Sequence, residues 1–585
     1  MFKSSRRFFW SELGPRDDVC MLLEIDFAGQ TFRWSTNPVT MLNVDSELLR
    51  FDGGLNELDF GAVLQTLADT PDQASISVDL LWPVDVALLI SQGHDLSAAT
   101  GELSAWVEGK TYEDRQILVR GRVRQPDYGG FNDVVSFTLE EAPFQDVGEW
   151  PTTSERVDET TWPTFQESES GRPYVQVIGR PGVFRRANGV ERYDVGTRAM
   201  VVETDPADNT LASTLLVAGH KIKSETVNIR YVGAEGATPD EGYIDFGGAG
   251  SVDLNGPVEY VQDSLGQWVS VVRIDTAVVD EIRRAQEFQV RWAQVIPDNN
   301  KGGLVWFDEA EAIRGAGDVM RYVLMRSTLR VDWGRFEAVR ARMNAWSLDG
   351  YLTEVVQPWE WITDNILPLM PVSMHSGADG IYPVFWNWDA GTHDAVDHIE
   401  WSPGIDRVSN VEYERAPSEI CNRLTFKYAW GVAEKEYQRS VIHTPNPTRV
   451  LGLLLDPEQV TSEFSKRSAL RFGMTAQKEM SSNVVIDDAT AHRSVNWRIL
   501  AEGFSQRSVQ YTVPQRYAYL ELGDVVTLTD TEIHLENIVA LVQGMDVRDT
   551  GRILITLQLV ENVARAPKTT GPHPDQGAPD PGDYQ

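Results

Sequence analysis

Between Ser75 and Asp146 polar and apolar residues alternate in short runs separated by turn residues. Ser75-Ile-Ser-Val-Asp-Leu-Leu has the period of a half-buried strand. Val84 to Gln92 reads as a short helix, after which Gly101-Glu-Leu-Ser-Ala-Trp-Val-Glu-Gly alternates again. That run puts Leu103, Ala105 and Val107 on one face and Glu102, Ser104, Trp106 and Glu108 on the other. Lys110 to Asp114 makes a turn. Ile117-Leu-Val-Arg-Gly-Arg-Val-Arg and Val134-Val-Ser-Phe-Thr-Leu-Glu add two strands around Pro126-Asp-Tyr-Gly-Gly. Upstream, Glu24 to Ser35 predicts two short strands about Ala28-Gly29, and Leu55 to Phe60 a third. Together these predict a small antiparallel barrel or sandwich crossed by one helix, over roughly Val19 to Asp146.

Periodicity then fades. Glu149 to Ser170 is rich in Thr, Glu, Ser and Pro and reads as a linker or loosely draped loop. From Gly171 short strands return at Tyr174 to Gly179, Met200 to Thr204, Ser213 to Ile222, Val227 to Val232 and Trp268 to Ile274, the texture of an all-β domain. Gly179-Arg-Pro-Gly has glycines of the kind a phosphate loop uses, but the Gly-Lys-Ser/Thr ending and a following helix are missing, so no nucleotide site is expected. After Gly303 the period becomes helical. Val319, Tyr322, Val323 and Arg326 form one stripe with Asp318 as N-cap, Arg335 to Trp346 forms a second helix, and a third begins near Trp359 and ends before Pro368. Tyr382 to Trp388 reads as a strand.

From Asp406 the pattern of the first segment is repeated without obvious identity of residues. Asn410 to Arg415 and Asn422 to Tyr428 alternate, and Thr461-Ser-Glu-Phe opens a helix with Ser462 available as cap. Asp488 to Phe504 is a longer helix with Ala491, Val495, Ile499 and Leu500 on its stripe. Strands follow at Ser508 to Pro514, Tyr519 to Asp530, Ile538 to Val547 and Arg552 to Val560, with Gly523 and Asp524 turning the chain. Arg565 to Gln585, rich in Pro, Gly and Asp, is expected to be disordered, either a tether for a neighbouring component or an inert end.

Length changes this picture only by multiplying it: 585 residues exceed one core and imply about three to five domains. No apolar run of about 18 residues could span a bilayer, so a soluble chain is expected. The basic opening is interrupted by Ser11, Glu12 and Arg16 to Asp18 before an apolar core forms, so no export signal is expected. Charge is more informative. With 52 basic against 87 acidic residues the net charge is −35, which disfavours a broad nucleic-acid surface. Such acidity leaves room for a single acidic groove or lumen, and equally suits the solvated surface of a protein from a salt-adapted host. Cys20 and Cys421 are the only cysteines; they predict buried reduced thiols and are too few for a disulfide framework, a four-cysteine zinc site or an iron–sulfur cluster.

Candidate chemistry is sparse. In His393-Asp-Ala-Val-Asp-His398 two imidazoles could ligate a metal, but they are five apart and lack a third ligand, so a polar loop before a strand at Ile399 is expected. Glu140-Glu141 and Asp487-Asp488 are carboxylate pairs of the kind glycosidases use, which chance supplies in so acidic a chain. Neither cysteine has a nearby His, and there is no Gly-x-Ser-x-Gly elbow. Trp386, Trp388 and Trp401 could stack on sugars. No catalytic, cofactor-binding or metal-binding residue is assigned, and no cofactor is expected.

The order Gly-Glu-Leu, Trp, Gly, Tyr-Glu-Asp-Arg, Leu-Val-Arg-Gly, Tyr-Gly-Gly, Val-Ser-Phe-Thr-Leu-Glu between Gly101 and Glu140 resembles the tube-like first domain of bacteriophage tail baseplate hub proteins and of the related hubs of gene transfer agents. Gly-Arg-Pro-Tyr-Val-Gln-Val-Ile-Gly from Gly171 looks like the inserted β domain of such hubs. Leu-Glu-Leu-Gly-Asp-Val-Val-Thr-Leu-Thr-Asp from Leu520 resembles their closing section. The resemblance implies a mainly β fold with α+β parts: two tube-like β-barrels each crossed by a helix, an inserted all-β domain and a mixed helix/strand domain. It divides the chain into a first barrel (1–148), a linker (149–170), the inserted all-β domain (171–302), the mixed domain (303–405), a second barrel (406–562) and a disordered tail (563–585).

As function the resemblance implies a structural virion protein and no enzyme: a homotrimeric hub of the tail tip or baseplate, assembled in the host cytoplasm. Two barrels per copy let three copies match the sixfold tail tube and form part of the DNA passage for genome ejection. The implied partners are the tail tube protein and distal tail protein above, tip or fibre proteins, and the tape-measure protein. DNA would touch the lumen transiently, without stable nucleic-acid binding, and no membrane span is involved. The rival readings are a receptor- or carbohydrate-binding tail module and a wall-degrading tail-associated hydrolase.

Overall fold

The computed structural model describes residues 19–60, 63–64, 75–81, 84–128, 134–140, 148–165, 167–181, 183–185, 192–194, 197–198, 200–205, 208–222, 227–232, 243–244, 252–254, 258–273, 292–297, 304–305, 312–375, 379–388, 390–402, 405–413, 420–431, 436–445, 449–450, 453–454, 458–473, 476–517, 519–549 and 552–560. The chain opening, Glu141 and the tail from Arg565 therefore lie outside the described residues. The fold is mainly β, in several sheets.

The first sheet has nine strands, in the order Val39–Leu42, Leu48–Gly53, Gln30–Ser35, Val19–Phe27, Thr100–Val107, Gln116–Asp127, Val134–Glu140, Ser75–Leu81, Leu55–Phe60. Ala28 and Gly29, with φ of 51° and 79°, make the two-residue hairpin between Val19–Phe27 and Gln30–Ser35, where both central positions need positive φ. One helix, α1 (Val84–Ser91), follows Ser75–Leu81. Leu103, Ala105 and Val107 are buried as the alternation predicts. Ser104 and Trp106 on the opposite face are buried as well, because the hairpin of Val39–Leu42 and Leu48–Gly53 folds over them and closes a small cluster of Cys20, Leu22, Met41, Phe51 and Trp106.

Residues 148–165 contain no strand or helix, yet Trp150, Val157 and Trp162 are buried and anchor the segment. Val157 and Trp162 belong to the core of the following β segment, together with Tyr174, Val202, Leu216 and Val271. That segment holds a four-stranded sheet of Met200–Asp205, Asp208–Ala218, Trp268–Arg273 and Glu259–Gln262, and a second built around Val227–Val232 and Trp292–Pro297. Gln176–Ile178 leaves it to pair with Gly350–Leu352.

Three helices come next: α2 (Ala316–Leu324), α3 (Trp333–Met343) and α4 (Pro358–Asn365). The sequence pattern places the start of α2 three residues late. Gly315 is its N-cap, and Asp318 sits inside the first turn, where it accepts from Arg340 Nη1 at 2.9 Å and Asn344 Nδ2 at 3.0 Å. Arg326 lies beyond its end. Asp332 caps α3, accepting from the Arg335 N–H at 3.1 Å, and Pro358 opens α4 where its missing N–H costs nothing.

Cys421–Gly431, whose stretch Asn422 to Tyr428 is expected in a second barrel, forms a separate four-stranded sheet with Glu436–Thr444, Glu458–Thr461 and Ala476–Ser481. Both outer strands pair in parallel with their neighbours; α5 (Glu463–Phe472) links one outer strand to the other, and α6 (Asp488–Glu502) follows Ala476–Ser481 and leads to the last sheet. The reason is the stripe of α6: Ala491, Val495 and Ile499 pack with Phe426 and Tyr428 in one cluster that also takes Val319, Met320 and Val323 of α2 and Phe336 of α3. Ser462 caps α5 as its sequence predicts.

The last sheet runs Asp397–Glu400, Val525–Asp530, Leu535–Asp549, Arg552–Leu559, Arg507–Pro514, Asp406–Arg407. The chain passes directly between the two large sheets: Leu55–Phe60 pairs in the first, and Val63–Leu64 pairs with Gly544 and Met545 in the last. Ile25, Val78, Leu103 and Phe137 of the first sheet and Tyr511, Val526, Leu528 and Ile555 of the last belong to one contiguous buried cluster. The beginning and end of the described chain are thus built around a common interior.

Candidate functional site

The residues that the sequence offers for chemistry fall into unrelated places. His393, in the short turn Thr392–Asp394, is 84% exposed with Nε2 3.4 Å from Asp394. His398 lies on the strand Asp397–Glu400 and its Nδ1 is 2.9 Å from Thr527 Oγ1. Among the described residues no group of three or more His, Cys, Asp and Glu is placed to hold a metal. Asp487 caps α6, and Asp488 accepts from the Tyr428 hydroxyl at 2.9 Å and from Arg439. Glu140 pairs with Arg124 at 3.1 Å. Cys20 and Cys421 are free and buried.

The three tryptophans do not form an open platform. Trp386 is buried and donates through Nε1 to Ser373 Oγ at 2.7 Å, Trp388 packs near Trp497, and Trp401 alone of the three is exposed. Ser373 in turn lies 2.7 Å from His375 Nε2. Burial pushes the pKa of this imidazole down to about 3. This serine–histidine pair, which sequence spacing did not flag, is sealed in the interior: Ser373 and His375 are buried.

Gly179-Arg180 also resolves differently from a phosphate loop. The Arg180 N–H donates to Asp349 Oδ1 at 2.7 Å, and Arg314 grips the same carboxylate through Nε at 2.9 Å and Nη2 at 2.8 Å. A buried carboxylate of the chain itself occupies the place an anion would take. Gly179 has φ +63°, and a Cβ there would lie 2.0 Å from the Leu348 carbonyl oxygen, so this glycine serves close backbone approach.

A concavity rich in charged side chains lies on the outer face of the first sheet, a pocket of about 450 Å³. Strand register builds it. Arg33 stands opposite Glu24, Glu24 opposite Glu102 and Glu102 opposite Arg120, and in the next row Thr31, Asp26, Thr100 and Arg122 line up the same way. Two like charges directly opposite one another destabilise a sheet, so Glu24 and Glu102 need cations. Arg33 Nε reaches Glu24 at 3.0 Å, and Glu102 is held by Arg115 Nη2 at 2.8 Å and by Arg120 Nε. The Tyr112 hydroxyl donates to Glu24, and the Arg115 guanidinium lies 3.7 Å above the Tyr112 ring. Burial, then the bond to Glu24, pushes the Tyr112 pKa well above its usual range.

A larger cleft of about 840 Å³ opens where the mixed segment meets the four-stranded sheet. Glu149, Glu354, Glu360 and Asp364 line it with Trp361 and Trp430.

Comparison with known proteins gives the class first. Residues 456–541 match the family described as "Putative phage tail protein". The matched stretch runs from the strand Glu458–Thr461 through α5 and α6 into the last sheet. The chain is similar to phage tail proteins. No curated protein gives a match. Among solved structures, the tail protein from Neisseria meningitidis MC58 is similar at 10% identity over 92% of this chain and 96% of that one, with a TM-score of 0.31. The 43 kDa tail protein of prophage MuSo2 from Shewanella oneidensis is similar at 10% identity over 93% and 99%, TM-score 0.30. A chain of the virion of a native gene transfer agent particle is similar at 13% identity over 68% and 87%, TM-score 0.32. Superpositions this loose leave the family match as the finding that bears on function.

Proposed function

We propose that the chain is a structural protein of a phage tail, the homotrimeric hub at the tail tip that joins the sixfold tube to a threefold tip and lines part of the DNA passage. The match of residues 456–541 to a phage tail family carries this reading. The architecture is compatible with it. Two large sheets around a common interior give each copy a wide wall, and copies joined head to tail about a threefold axis close without free edges. Val39–Leu42 ends the first sheet and, among the described residues, has an unpaired edge open to sheet continuation between copies. A net charge of −35 keeps DNA sliding past the wall without sticking. The partners of such a hub are the tail tube and distal tail proteins above, tip or fibre proteins, and the tape-measure protein.

Light scattering coupled to chromatography tests the reading, with the chain alone and with tail tube protein. A mass three times that of the chain, or co-elution with tail tubes, is expected. A stable monomer at high concentration that ignores tail tubes would overturn it. The rival reading, a carbohydrate-binding tail module, rests on different rings from those the sequence suggested: Tyr260 and Trp268 stack at 4.8 Å and are 38% and 49% exposed on the β segment after Gly171. A monomer whose tryptophan fluorescence shifts with added sugar would favour it.

A further inference from the structure

We propose that the arginine-rich pocket on the first sheet binds an acidic segment of a partner protein, seating its carboxylates on Arg120, Arg122 and Arg330. The proposal does not rest on the hub reading. Five guanidinium groups line the pocket against three carboxylates, in a chain where acids outnumber bases 87 to 52. The internal pairs use only part of the donor capacity. Glu24 and Glu102 consume one face of Arg33, Arg115 and Arg120, and each guanidinium carries five N–H donors. Arg122 is exposed and, among the described residues, has no carboxylate within ion-pair distance. Arg115 Nε is buried without a hydrogen-bond partner.

One carboxylate already sits at the rim. Asp379 Oδ1 is 3.3 Å from Arg120 Nη1 and 3.8 Å from Arg330 Nη2, and its side chain is 54% exposed. These are longer than the 2.7–2.9 Å of good charge-assisted bonds. Asp379 is therefore a loosely held internal anion that a better-placed carboxylate displaces. Phosphate could use the same donors, but observations favour protein. A pocket of about 450 Å³ takes one or two side-chain carboxylates, and the strongly negative chain repels a polyanion at a distance while a short acidic loop on a docked partner feels mainly the local arginines.

The test is fluorescence anisotropy of a labelled peptide of alternating Asp and Gly titrated with the full chain, with an oligothymidylate as competing probe. Binding that weakens as salt rises is expected. The double variant Arg122→Ala/Arg330→Ala should weaken it about tenfold or more, with circular dichroism and the melting temperature unchanged. Asp379→Asn should tighten it by removing the internal competitor. That gain separates a binding site from a purely structural charge network, which loses by the same change. Absence of wild-type binding, equal binding by the double variant, no gain with Asp379→Asn, or tighter binding of oligothymidylate than of peptide would each overturn the proposal.

Discussion

Asp349 carries its carboxylate into the interior, where distant parts of the chain hold it. Its side chain is fully buried, and Arg314 with the Arg180 N–H satisfies it. Removing the carboxylate leaves the Arg180 N–H without its acceptor and, among the described residues, Arg314 with only Asp487, 4.0 Å away, so the loss is that of charge-assisted hydrogen bonds. Asp349→Ala is expected to cost about 3 kcal/mol in urea unfolding followed by tryptophan fluorescence. A loss too small to resolve would show that water reaches the site. The sequence shows Gly179-Arg180-Pro181 but not its anion, because Asp349 arrives from 169 residues away. Gly523 was legible in part. Its φ of +78° makes the expected turn, and the Asp524 carboxylate accepts from the Glu521 N–H at 2.9 Å. A second reason for glycine, that a Cβ would lie 2.4 Å from Val384 Cγ1, is tertiary.

At the scale of elements, local chemistry predicted caps where it acts alone and missed where packing overrides it. Ser462 satisfies the first turn of α5 whatever surrounds it. At α2 the helix begins earlier, on Ala316 and Gly317, because α3 approaches so closely that a Cβ on Gly317 would lie 2.6 Å from the Arg340 carbonyl oxygen. Gly317, which weakens a helix by propensity, is used here for close contact. The hairpin of Val39–Leu42 and Leu48–Gly53 is a second case. It covers Trp106 with one face and leaves Leu42, Val44 and Leu48 exposed at its tip by 54%, 77% and 70%. Leu42 and Leu48 are direct cross-strand partners, so the three form one apolar knob at a sheet edge. We expect the knob to seat in a neighbouring copy. Leu42→Glu/Leu48→Glu should lower the mass in solution toward that of one chain without lowering the melting temperature. An unchanged mass would remove this hairpin from the subunit contact.

For the whole molecule, the common interior of the first and last sheets predicts that they unfold together. Leu528 and Leu103 are both fully buried in that one cluster, though 425 positions (528 minus 103) separate them. Leu528→Ala should cost about 2–5 kcal/mol through the cavity it leaves. Hydrogen exchange should then accelerate in Thr100–Val107 as much as in Val525–Asp530; acceleration confined to the last sheet would mean two independent cores. What the sequence by itself determined is whatever depends on near neighbours: strand and helix periods, hairpin turns at Ala28-Gly29 and Gly523, the cap at Ser462, and the texture by which it resembles phage tail proteins. Tertiary structure alone decided which sheet each strand joins, that Trp106 is covered on the supposedly polar face, that α6 draws Cys421–Gly431 into a sheet of its own, and that Arg33, Arg115, Arg120 and Arg122 converge on one pocket. Period fixes which face a residue takes, but the partner on that face comes from distant sequence, so only packing and register can choose it.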